Sequence, residues 1–86
     1  MPDTQRVGIT ANAVAPGSIF TPQFLDPVNS GGPDAVEPTA ARNPTGRIGM
    51  PEDVAYTFQF LASPGAGYVN GQLIVVDGGR HLLALG

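Results

Sequence analysis

The sequence has no cysteine, no lysine and no tryptophan, and only one histidine. Without cysteine there is neither a disulfide framework nor a thiolate zinc site, and His81 alone cannot build a multi-histidine centre, so no metal site is expected. The same lack of cysteine suits a cytoplasmic setting. The absence of lysine removes Schiff-base chemistry, a P-loop, and any amine that would lower the pKa of a neighbouring tyrosine. Charge is scarce too. Four arginines face seven acids, a net charge of −3, and no basic run exists to neutralise phosphates, so nucleic acid is not an expected partner. No apolar run approaches the ~20 residues needed to span a bilayer, and Met1-Pro2-Asp3-Thr4-Gln5-Arg6 lacks the apolar core of a signal peptide. Membrane insertion and secretion are both disfavoured.

What is present points to a globular piece of chain. The 86 residues make one domain at most, and 42% of them are hydrophobic, against the profile of a disordered segment. Twelve glycines and nine prolines sit between apolar runs and act as punctuation. Alternation of Val7, Ile9, Ala11 and Ala13 with Gly8, Thr10, Asn12 and Val14 predicts a strand over 7–14, stopped by Ala15-Pro16-Gly17. The next 32 residues, 18–49, carry Pro22, Pro27, Pro33, Pro38, Pro44 and Gly31-Gly32, and read as a long lid-like excursion. Pro51-Glu52-Asp53 then opens a helix over 51–62, with proline in the first turn and two acids at the positive end of the dipole. Val54, Phe58 and Leu61 form its apolar face. Leu73-Ile74-Val75-Val76 is a continuous apolar strand within 72–77. A helix between two strands implies a parallel βαβ unit, hence an α/β fold, the C-terminal portion of a doubly wound parallel sheet. One face of that sheet has no helix to cover it, so the chain reads as part of a domain.

Ligands of open α/β sheets bind beyond the carboxyl ends of strands, which singles out Asn12-Ala13-Val14-Ala15-Pro16-Gly17-Ser18-Ile19-Phe20-Thr21. A plain Pro-Gly turn would look the same. Thr45-Gly46-Arg47-Ile48-Gly49 has the wrong glycine spacing, and no preceding strand, for a phosphate-binding turn. In Tyr56-Thr57-Phe58-Gln59-Phe60, phenylalanine stands where a Tyr-x-x-x-Lys motif needs lysine, so Tyr56 reads as a packing or half-exposed helix residue. His81 has no acid or nucleophile at a recognisable spacing and reads as a surface or interface residue. Asp34, Glu37 and Arg42 read as solvated loop charges, and proline within Asn43-Pro44-Thr45 blocks a glycosylation sequon.

Taken in order, Asn12–Thr21, Gly46-Arg47-Ile48-Gly49-Met50-Pro51-Glu52-Asp53-Val54-Ala55, Phe60-Leu61-Ala62-Ser63-Pro64, and Val69-Asn70-Gly71-Gln72 leading to Val75-Val76-Asp77-Gly78-Gly79 resemble the C-terminal part of the classical short-chain dehydrogenase/reductase family. The resemblance implies a Rossmann-type sheet and hydride exchange between NAD or NADP and an alcohol or carbonyl, with a small-molecule substrate only in an intact enzyme. It also implies that Pro16 and Gly17 line the nicotinamide pocket, that the Ile19 backbone meets the carboxamide, and that Thr21 hydrogen-bonds the carboxamide or pyrophosphate. Phe20, Phe24 and Leu25 would belong to the substrate lid. The family's glycine-rich turn and its catalytic Ser and Tyr-x-x-x-Lys precede the matched region and are absent from these residues. No catalytic residue is therefore expected here, and activity would need an N-terminal segment or full-length relative. The alternatives are an oligomerisation fragment, extended by the tail Leu82-Leu83-Ala84-Leu85, or a truncated gene product, since Met1 stands just ahead of the first strand.

Overall fold

The computed structural model describes residues 8–85, and side chains only as far as Leu82. Val7, at the head of the expected first strand, and the Leu83, Ala84 and Leu85 side chains of the expected interface tail lie outside the described residues. The elements run in the order β1 (Ala13–Pro16), a 3-10 turn (Pro33–Ala35), α1 (Val36–Arg42), α2 (Pro51–Leu61), a second 3-10 turn (Pro64–Ala66), β2 (Leu73–Val76) and α3 (Arg80–Leu85). The two strands pair in parallel, with Ala13 opposite Leu73 and Pro16 opposite Val76. The expected crossover from strand through helix to parallel strand is thus formed.

The first strand is later and shorter than its alternating pattern predicts. Pairing can run only as long as the partner, and β2 has four residues. Ahead of Ala13 one backbone bond remains, Gly71 N to Ala11 O, and side chains supply the rest. Asn70 Oδ1 accepts from the Ala11 amide, Asn12 Nδ2 donates to Val69 O, and Asn12 Oδ1 accepts from the Gln72 amide. Ile9 is left exposed. Pro16 does not stop the strand but ends it as a member. Amides of Ala13 and Gly17 donate to Gln72 and Val76, so by alternation the even-numbered Pro16 faces the other edge, where a missing N–H costs nothing in this ladder.

The excursion is less irregular than its prolines suggest. Pro33 opens a 3-10 turn and Pro38 is the third residue of α1, within the first turn where no intrahelical N–H bond is needed. The excursion also closes on itself, since Ile19 and Gly49 form a parallel bridge with Phe20 N donating to Gly49 O at 2.7 Å and Gly49 N to Ser18 O at 3.0 Å.

Helix α2 lies beside β1 and half-buries Val54, Thr57 and Leu61, a stripe at i, i+3 and i+7. Phe58, expected on the buried face, is 56% exposed, at the flank of that stripe. Phe60 and Tyr56 are exposed as well. On β2, Ile74 and Val76 are half-buried, whereas Leu73 and Val75 face outward at 63% and 39% exposure. Among the described residues no large side chain is fully buried.

Candidate functional site

Beyond the carboxyl ends of both strands the chain makes two sharp turns that touch. Gly17 follows β1 and Asp77 follows β2; a Cβ on Gly17 would stand 2.6 Å from Asp77 Cβ and 2.9 Å from its Cα. Only glycine permits that approach. Past this contact, the turn Pro16–Thr21 borders an open cavity of about 520 Å³. Pro16, Gly17, Ile19 and Thr21 all line it, together with Phe24 from the 18–49 excursion and Pro51 and Val54 from α2. Phe20 and Leu25, the other two expected lid residues, do not. Phe20 follows the Ile19–Gly49 bridge, which commits its amide to Gly49, and its ring is exposed; Leu25 is half-buried in the turn started by Thr21.

Two details give this wall its hydrogen-bonding character. The bridge with Gly49 uses the groups of Ser18 and Phe20, and leaves both the N–H and the C=O of Ile19 without a partner among the described residues. Thr21 caps the following turn, its Oγ1 accepting from Phe24 N at 3.2 Å and its carbonyl from Leu25 N at 3.0 Å. The hydroxyl keeps its own proton to donate elsewhere.

A second cavity, about 90 Å³, lies at the rear of the lid and is lined by polar residues including Asn43, Thr45, Arg47, Asp53 and Asp77. It is a structural joint. Asn43, buried, donates from Nδ2 to Arg47 O at 2.9 Å. Thr45 N donates to Gly78 O at 3.1 Å, and Gly78 has φ +67° where a Cβ would strike Thr45 Oγ1 at 2.5 Å. The amides of Thr45, Gly46 and Gly49 are spent on Gly78, Asn43 and Ser18, so this glycine pair offers no phosphate cradle. Arg47 grips Asp53 with both guanidinium nitrogens, at 2.8 and 3.0 Å, and Asp53 also accepts the Met50 amide at 2.7 Å. Those contacts, the arginine first, hold the Asp53 carboxyl down to about 2.

His81 does have an acid partner, contrary to the reading of its flanks. Its Nδ1 lies 3.0 Å from Asp77 Oδ2, because the turn at 77–80, closed by Arg80 N donating to Asp77 O, folds the start of α3 back over Asp77. Partial burial works against the Asp77 charge, but the His81 and Gly79 amides and the His81 ring outweigh it and keep the carboxyl below its ordinary range. Among the described residues no three metal-ligating side chains cluster, and no helix is long and apolar enough to cross a membrane.

Known proteins share much of this sequence and its fold. The family described as Enoyl-(Acyl carrier protein) reductase matches residues 3–81. An NADPH-dependent aldehyde reductase-like protein of Arabidopsis thaliana is 50% identical over 77 residues, covering 90% of this chain and 27% of that protein. A 3-oxoacyl-(acyl-carrier-protein) reductase of Rickettsia prowazekii is 46% identical over 76 residues, covering 88% of this chain and 30% of its own length. Among solved structures, a gluconate 5-dehydrogenase from Burkholderia cenocepacia, in complex with NADP and tartrate, superposes with TM-score 0.74 at 35% identity over 93% of this chain and 31% of its own. The chain thus spans less than a third of these relatives. With its parallel strands and a family match running almost end to end, the chain belongs to the classical short-chain dehydrogenase/reductase family of oxidoreductases.

Proposed function

We propose that this chain forms the nicotinamide-end wall and substrate lid of an NAD- or NADP-dependent short-chain dehydrogenase/reductase that interconverts alcohols and carbonyls. The observation that carries the reading is the unspent N–H and C=O of Ile19 on a strand-end turn that also brings Pro16, Gly17 and Thr21 to one cavity. A nicotinamide carboxamide presents one acceptor and one amino donor, and an extended residue with both backbone groups free answers both. Thr21 adds a hydroxyl proton at the same wall, and Gly17 adds backbone without a side chain to obstruct a ring. The bound nicotinamide would supply the hydride chemistry; these residues hold and orient it. The solved relative with NADP supports this choice of cofactor.

The proton donor lies elsewhere, because Tyr56 is followed at the fourth position by Phe60 and the chain has no lysine. The purified chain alone is therefore expected to give no turnover of NADH or NADPH with carbonyl substrates. Mixed with a relative's segment that carries the glycine-rich turn, Ser and Tyr-x-x-x-Lys, it restores turnover. Steady oxidation by the chain alone, surviving removal of host enzymes, would refute its dependence on another segment, and a mixture that forms a complex yet stays inactive would refute the wall assignment. The exposed Tyr56, Phe58 and Phe60 favour a second reading, an interaction fragment that never meets cofactor.

A further inference from the structure

We infer that the substrate admitted by this lid is an uncharged aldehyde or ketone, one without a carboxylate or phosphate; the inference rests on the proposed lid function and narrows it. None of the ten residues lining the 520 Å³ cavity is charged. Phe24, Pro51 and Val54 give it apolar surface, while Thr21, Gln23 and Ser30 give it neutral hydrogen-bonding groups.

The nearby charges reinforce the choice. Within 18–49 the acids Asp26, Asp34 and Glu37 outnumber Arg42 and Arg47. Arg47 is gripped by Asp53 and lines the other cavity, and Arg42 stands exposed at the end of α1. Asp26 lies on the same loop as Gln23, Phe24 and Ser30, its carboxylate accepting the Val28 and Asn29 amides and the Asn29 side chain. Those bonds stabilise its charged form. An anionic substrate entering here would give up water without meeting a cation among the lining residues. A neutral polar group loses much less water and finds the Gln23 amide and the Ser30 hydroxyl.

Two probes that differ only in charge test the inference, benzaldehyde and its para-carboxylate, titrated into the full chain while amide resonances are followed by NMR. Benzaldehyde is expected to shift the amides of Thr21, Gln23, Phe24 and Ser30, with affinity at least tenfold above the carboxylate. Gln23→Arg, at an exposed position, is expected to erase that preference by supplying the missing cation. Equal or tighter binding of the carboxylate by the unaltered chain overturns the inference, and so does the absence of any shift with either probe. Hydride transfer plays no part in this measurement. A reconstituted mixture without turnover would remove the redox reading while leaving the measured preference standing.

Discussion

Arg47 and Asp53 join the return leg of the 18–49 excursion to the start of α2, and the Met50 amide is drawn into their pairing. Asp53 accepts both guanidinium nitrogens and the Met50 N–H, so its charge caps the helix while it holds the arginine. The side chains are 58% and 30% exposed, so solvent and salt screen the pair. Its pH dependence is nonetheless directional. The folded carboxyl titrates near 2 against an ordinary 3.8, which means that its stabilisation is present above the unfolded value and is lost as pH falls from about 4 toward 2. Asp53→Asn should therefore lower the urea midpoint at neutral pH and flatten this part of the acid limb. A variant whose midpoint falls in parallel with the unaltered chain across that window would show that Asp53 contributes no acid sensitivity. Asp26 and Asp77 are depressed in the same direction, so part of the acid limb remains in the variant.

At the level of elements, the 18–49 excursion, the proposed lid, is a loop pinned at its neck. The Ile19–Gly49 bridge ties its two ends together and the Thr45–Gly78 bond ties its rear to the turn after β2, while the stretch from Pro22 to Gly32 is held mainly by its own turns. Hydrogen exchange should resolve these parts. Amides of Ile74 and Val76, which face β1, and of Ala62 at the end of α2 are expected to exchange slowly, Phe20 and Gly49 at an intermediate rate, and Gln23 and Asn29 fastest. Protection of Gln23 and Asn29 equal to that of β2 would contradict the lid assignment. The same contrast explains what could be read in advance. Leu73–Val76 and the proline-led start of α2 carry their signals locally, and both form within a residue or two of the expected bounds. Residues 7–14 show an alternating pattern, but a strand needs a partner, and the length of β2 and the Asn12 and Asn70 side chains decide where pairing begins. Helix α1 was hidden because proline disfavours helix interiors, and Pro38 becomes tolerable only as a first-turn residue. The wall residues Pro16, Gly17, Ile19 and Thr21 were named through family resemblance. Their meeting with Gln23 and Ser30 depends on the fold of residues 21–30, which no local pattern announces.

The whole molecule presents more apolar surface than a self-sufficient domain of this size can leave uncovered. Leu73 and Val75 face outward on β2, and Phe58 and Phe60 are each more than half exposed on α2. The outer edge of β1 also faces no described strand. An exposed apolar strip of about 300 Å² forfeits roughly 7 kcal/mol at ~25 cal/mol per Å². Total stabilities of ordinary domains are about 5–15 kcal/mol, so the deficit is of the same order as the whole margin. The chain is therefore expected to associate, with itself or with an N-terminal segment or full-length relative whose strands and helices lie against these faces. Sedimentation, together with unfolding followed at several concentrations, tests this: the unfolding midpoint should rise with concentration and the sedimenting species should exceed 8.8 kDa. Val75→Asp places a charge on the sheet face and should abolish docking, whereas Gln59→Glu on the exposed side of α2 should leave it nearly intact. A monomer that unfolds cooperatively at a midpoint independent of concentration would show that these 86 residues are stable with the face open.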